Sequence, residues 1–298
     1  MRTFWGAAYF AAVLLLFAFS GARAQQPNPL LDGVDVHRDV EYANVGGKSL
    51  TLDLYVPQAA IKPIPLIVWI HGGGWSAGNK SNPTVLPMVK FGFAVASINY
   101  RLSQEAIFPA QIYDCKAAVR WLRAHAAEYG LNPDKIGAAG SSAGGHLVAL
   151  LGTTADNKDL EGDEGNPGIS SRVQAVCDLY GPTNLVDMTG RTDAAWKKSY
   201  GYTVVSQLLG VPVSDNPDKA RFASPLYYVT AQASPFYIAH GDLDQTVPVQ
   251  QSIELNNALQ KAGVSSTLYI VKGAGHGFHD PVAMQGAFDF FRHYLMTP

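Results

Sequence analysis

The chain has 298 residues, 47% of them hydrophobic and 15% charged, which suits one well-cored domain and excludes a disordered or fibrous chain. Its 22 basic and 24 acidic residues leave a net charge of −2. No Lys/Arg cluster could track a phosphate backbone, so no nucleic-acid partner is expected.

Residues 1–24 read as a leader. Arg2 gives a short positive start, residues 4–19 form an uncharged run dominated by Ala, Leu and Phe, and Ala22-Arg23-Ala24 has the small-x-small form of a cleavage site. The run is short for the roughly 20 residues of a spanning helix. Cleavage is therefore expected, with a secreted or periplasmic mature chain and no stable membrane insertion. One domain should then span residues 25–298, with 25–37 as an exposed lead-in.

Residues 41–45, the turn Gly46-Gly47-Lys48 and residues 50–56 read as two strands. The second alternates apolar and polar residues, the mark of a half-buried strand. Residues 66–70 differ, being a continuous apolar run between Pro65 and a glycine cluster, as a central strand buried on both faces requires. Similar runs follow at 93–98, 135–139, 173–179, 236–239 and 266–271. Helical patterns lie between them. Residues 109–129 place Ile112, Cys115, Val119 and Leu122 three or four apart, 249–262 repeat the spacing, and 285–296 form a last helix. Buried strands alternating with amphipathic helices predict an α/β fold, a doubly wound and mostly parallel sheet with an antiparallel leading edge. Residues 155–225 break the rhythm with Asp, Asn, Gly and Pro, and hold a helical piece near Tyr202. They are expected in part as an insertion, able to form a lid or substrate wall. Cys115 and Cys177 sit in apolar contexts, where a buried thiol and a disulfide both remain open.

Gly140-Ser141-Ser142-Ala143-Gly144 fits G-x-S-x-G between a strand pattern and a small, apolar helix. In that context Ser142 is a nucleophile at a strained strand-to-helix turn. His71-Gly72-Gly73-Gly74-Trp75 follows the 66–70 strand, and its glycines let backbone N–H groups face a developing oxyanion. Gly73, Gly74 and Ala143 are the expected donors. His71 is read as fixing this loop. A serine hydroxyl needs a base, and the base needs an orienting acid. Of the eight histidines, His276 stands in Gly273-Ala274-Gly275-His276-Gly277-Phe278 just after a strand, with His279 as its rival. His146 is read as packing beneath the turn, and His125 and His293 as helical surface or structural residues. For the acid, Asp244 is preferred to Asp242 because it lies deeper in the turn before Val247-Pro248. Trp75, Tyr100 and Tyr202 are candidate walls for the acyl or aryl group. The order Ser142, Asp244, His276 is that of the α/β-hydrolases.

These residues carry a family resemblance. HGGGW at 71–75, YRLS at 100–103, GSSAG at 140–144, ASPLYYV at 223–229, HGDLDQTVP at 240–248 and GAGHGF at 273–278 resemble the secreted esterases near the hormone-sensitive-lipase and acetyl-xylan/feruloyl esterase (BD-FAE-like) branches of the α/β-hydrolases. The resemblance implies a serine carboxylic ester hydrolase using a Ser–Asp–His triad and an HGGG oxyanion loop, acting on small-molecule or polysaccharide-linked esters, acetyl or feruloyl. Such a mechanism needs no metal and no cofactor. An arylformamidase-like amide hydrolase and a short-chain lipase are the alternatives, and the oligomeric state stays open.

Overall fold

The computed structural model describes residues 28–190 and 198–297, so the leader expected over residues 1–24 lies outside the described residues. Among the described residues, no helix is long and apolar enough to cross a membrane.

Eight strands form one sheet: β1 (Val34–Val45), β2 (Lys48–Pro57), β3 (Ile64–Ile70), β4 (Ala94–Ile98), β5 (Leu131–Ser141), β6 (Ala175–Leu179), β7 (Phe236–Gly241) and β8 (Ser266–Val271). Their spatial order is β1-β2-β4-β3-β5-β6-β7-β8. β1 and β4 pair antiparallel with β2, and every later pair is parallel. The helices are α1 (Ala110–Ala124), α2 (Ala126–Tyr129), α3 (Ala143–Thr153), α4 (Leu185–Gly190), α5 (Tyr200–Leu209), α6 (Pro217–Phe222), α7 (Gln250–Lys261) and α8 (Pro281–Phe291). This is the α/β-hydrolase fold, with the expected antiparallel edge.

The continuous apolar runs have a direct cause. Along β3, Leu66, Val68 and Ile70 join one core cluster while Ile67 and Trp69 join the other, and β7 divides Phe236 and Ile238 from Tyr237 and Ala239 in the same way. Both sheet faces are covered. Side chains of α1, α3 and α7 fill the first cluster, and those of α8 fill the second. Each large side chain removed from water contributes about 1.5–3 kcal/mol. Cys115 belongs to the first cluster and Cys177 to the second, so the sheet separates them and both are free thiols.

Two expectations need correction. Residues 34–37 are not lead-in but the start of β1, paired with β2 from Val34 opposite Pro57. Residues 109–129 form two helices rather than one, divided at His125.

The stretch 155–225 also divides. Before β6 it is fastened to α1 and the loop before it: Glu161 meets Lys116 at 2.9 Å and Arg120 at 2.7 Å, the Tyr113 hydroxyl donates to the Asp159 carbonyl, and Glu164 meets Arg101 of that loop at 3.1 Å. After β6 the chain turns toward the ends of β5 and β6, where Pro182, Met188, Gly201, Val204 and Val205 line a cavity beside Ser142.

Candidate active site

Ser142 sits between β5 and α3 with φ 54° and ψ −118°, a strained conformation for a non-glycine residue. Its N–H donates to the Leu179 carbonyl, and its carbonyl accepts the His146 N–H. The turn closes because α3 presses on the end of β3. A Cβ at Gly144 would overlap the Ile70 carbonyl oxygen, so only glycine allows that approach. Ala143 then stands at the N-terminus of an eleven-residue helix, where N–H groups and the positive dipole end favour negative charge.

His276 and Asp244 arrive on loops after β8 and β7. His276 Nε2 lies 2.9 Å from Ser142 Oγ, and its Nδ1 lies 2.6 Å from Asp244 Oδ2. A carboxylate accepts only, so Nδ1 carries the proton and Nε2 accepts from the serine. The other oxygen of Asp244 accepts the N–H groups of Thr246 at 2.8 Å and Val247 at 2.9 Å. Burial opposes the Asp244 anion, yet hydrogen bonds from His240, His276 and the Val247 N–H outweigh it and hold the carboxyl well below the usual carboxylate range.

Asp242 has a different part. Its Oδ1 accepts the Gly273 N–H at 2.7 Å and its Oδ2 pairs with Lys272 at 3.3 Å, so it splices the acid-bearing loop to the histidine-bearing loop. His279 is exposed, away from these contacts.

The HGGGW loop follows β3. Gly73, at φ 109°, accepts the N–H groups of Ser76 and Ala77 on its carbonyl and makes the turn. Gly74 and Ala143 line the cavity beside Ser142, whereas Gly73 does not. His71 is buried, stacks on Tyr100 with ring centroids 4.4 Å apart, and donates from Nδ1 to the Gly72 carbonyl. Burial lowers its pKa. The loop ends at Lys80, which reaches Asp53 at 2.6 Å and Asp39 at 2.8 Å and whose N–H donates to Asn99 Oδ1.

The three aromatic residues expected as walls lie in different places. Trp75 lines the cavity. Tyr100 does not, because its ring lies under His71 and its hydroxyl donates to the His71 carbonyl at 3.1 Å. Tyr202 does not either; its ring packs against the first core cluster and its hydroxyl meets Ser214 Oγ at 3.3 Å. The cavity is otherwise walled by Pro182, Met188, Val204, Val205 and Val247.

Two residues of the site were missed in the sequence. Tyr180 follows β6 at φ 47°, hydrogen-bonds to Ser141 and sets its ring edge-on to His276, 4.9 Å between centroids. His240 lies fully buried behind the acid, with Nε2 3.3 Å from Asp244 Oδ2 and 2.9 Å from the Val247 carbonyl, and Nδ1 2.6 Å from Ser252 Oγ. The signal for Tyr180 was its place in Tyr180-Gly181-Pro182, just past the end of the strand beside β5. In an open parallel sheet that end is where ligands bind.

The arrangement matches known proteins. The BD-FAE family model matches residues 52–259. Esterase LipQ of Mycobacterium tuberculosis is 32% identical over 249 residues, which are 80% of this chain and 56% of that protein. The chain spans little more than half the length of the curated relatives it matches. A truncated carbohydrate esterase from gut microbiota superposes with a TM-score of 0.81 at 35% identity, covering 89% of this chain and 98% of that one. An esterase of the Planctomycetes species Thermogutta terrifontis gives a TM-score of 0.70 at 28% identity, covering 91% and 95%.

Proposed function

This chain belongs to the BD-FAE family of α/β-hydrolases, and from that membership we propose that it is an exported serine carboxylesterase that removes short acyl groups, acetyl foremost, through an acyl-enzyme on Ser142. The observation that carries the reading is the unbroken chain from Ser142 through His276 to Asp244, at 2.9 and 2.6 Å, opening on a small apolar cavity.

In the reaction, His276 Nε2 takes the Ser142 proton as Oγ attacks the ester carbonyl. Asp244 holds the imidazole tautomer and steadies the imidazolium. The oxyanion develops against the backbone N–H groups of Gly73, Gly74 and Ala143, the last two lining the cavity. His276 then protonates the departing alcohol, and water released of a proton to His276 hydrolyses the acyl-enzyme.

The cavity's aliphatic lining, Met188, Val204, Val205 and Val247, supports a short acyl group, acetyl foremost. The carbohydrate esterase among its structural relatives supports a sugar alcohol on the leaving side. Export rests on the leader pattern of residues 1–24.

A panel of p-nitrophenyl acetate, butyrate and octanoate, methyl ferulate, acetylated xylan and N-formylkynurenine tests the reading. Acetate esters should be fastest, and Ser142→Ala should abolish turnover while the fold persists. Turnover of N-formylkynurenine above all esters, or a Ser142→Ala variant near wild type, would overturn it.

A further inference from the structure

We infer that His146 sets the acyl-chain limit of this site by fixing Trp75 as the cavity's inner wall, an inference that rests on the esterase reading above. His146 lies one turn of α3 beyond Ser142 and is fully buried. The Trp75 indole N–H donates to its Nδ1 at 3.2 Å, and its Nε2–H donates to the Ala223 carbonyl at 2.6 Å. Each ring nitrogen thus has one partner, and these partners fix a single neutral tautomer. Burial pushes the pKa of His146 down to about 4, so it stays neutral wherever the triad works.

The imidazole therefore joins three segments that the sequence keeps far apart: the HGGGW loop, the helix behind the nucleophile, and the end of α6. The two rings meet edge to face, 5.2 Å between centroids at 86°. Trp75 is in the left-handed region at φ 55°, which costs a bulky residue of order 1–3 kcal/mol and persists only where the surroundings impose it. They do so at both ends of the residue. Its carbonyl accepts the Ser103 N–H at 2.8 Å, and its indole is tied to His146. His146 is not among the residues that line the cavity, and its imidazole is tied to that lining through the Trp75 indole. It is a positioning residue, and what it positions is the cavity's one aromatic wall among the described residues.

Loss of the acceptor leaves a buried indole N–H without its partner, and the ring is then free to seek another rotamer. The wall would withdraw and the cavity deepen. One methylene in an apolar pocket changes specificity by roughly 10–200-fold, so the chain-length profile is a sensitive readout.

The test is kcat/KM on p-nitrophenyl acetate, butyrate and hexanoate for the wild type, His146→Ala, His146→Gln and Trp75→Phe, each checked by thermal melting. His146→Ala should raise the hexanoate-to-acetate ratio by about tenfold or more. Glutamine offers an oxygen to accept the indole N–H and an amide N–H for the Ala223 carbonyl, so His146→Gln should return the ratio close to wild type. Trp75→Phe, which keeps an aromatic wall but shortens it and removes the N–H, should shift the ratio in the same direction as alanine at His146, and covers the case in which His146→Ala fails to fold. A folded His146→Ala or Trp75→Phe enzyme whose rates fall in parallel on all three esters overturns the inference, as does a glutamine variant that shifts as far as alanine. A wild type inactive on every ester would instead overturn the esterase reading itself.

Discussion

Asp242 and Asp244 stand two residues apart and divide the labour of one loop. Asp244 accepts the His276 proton-bearing nitrogen, and Asp242 ties the Asp loop to the His loop. Asp244→Asn should lower kcat on p-nitrophenyl acetate by about 10⁴-fold, the order found when a triad acid elsewhere is made an amide. Asp242→Asn should lose far less, chiefly as a lower melting temperature. Equal losses in kcat would contradict this division. Asp178 makes a pH-dependent prediction. It is fully buried beneath the nucleophile turn, Oδ1 accepts the Gly181 N–H at 2.9 Å, and Oδ2 lacks a partner among the described residues. Burial raises its pKa from 3.8 to about 6. Between those values the folded state holds a proton that the unfolded chain has lost, so stability falls as pH rises through the window and the whole loss is present above it. Asp178→Asn should therefore raise the melting temperature more at pH 8 than at pH 4. An equal gain at both would show that ionisation is not the cause. At this scale the grouping of Ser142, His276 and Asp244 was legible, because the proposed chemistry calls for those residue types in that order. Tyr180, His240 and the role of His146 were not, because a buried polar residue announces its partners only when the fold supplies them.

Among the elements, α1 carries two fully buried cations, Lys116 and Arg120, and both reach Glu161 on the segment before β6. Removing one partner of such a cluster leaves uncompensated charge, which typically costs about 3–5 kcal/mol. Glu161 is about one third exposed, so Glu161→Ala should fall at or below the lower end of that range in urea unfolding. Its kcat should stay at the wild-type value, because this half of the 155–225 stretch fastens to α1 and does not line the cavity. A fall in kcat without a fall in stability would mean that the segment reaches the site. The central strands were legible because burial on both faces leaves a continuous apolar run. The start of β1 was not. It is an edge strand with mostly exposed or half-exposed side chains, and irregular register between His37 and Val40 breaks the alternation that marks a strand. The N-terminal part of β5 hid for a similar reason. Asn132-Pro133-Asp134 carries turn-forming residues, and only the pairing of Leu131 with Ile64 draws it into the sheet.

Over the whole molecule, one sheet gathers what the sequence scatters. The HGGGW loop follows β3, Ser142 follows β5, Tyr180 follows β6, Asp244 follows β7 and His276 follows β8, so each of these groups leaves the carboxyl end of a strand in one parallel array. The alternation of strand and helix patterns was enough to foresee this sheet. A wall from within residues 155–225 was foreseen, but not which residues form it, because Met188, Val204 and Val205 line the cavity only once α4 and α5 fold over Ser142. In the proposed reaction Ser142 becomes acylated during turnover. Rapid mixing of p-nitrophenyl acetate with the enzyme, followed by intact-mass and peptide analysis of the quenched protein, tests it most directly. A burst of nitrophenol near one per enzyme and a single acetyl group on Ser142 are expected, with neither in Ser142→Ala. Full turnover with no acetyl on Ser142, or an acetyl group on another residue at the same rate in Ser142→Ala, would contradict it.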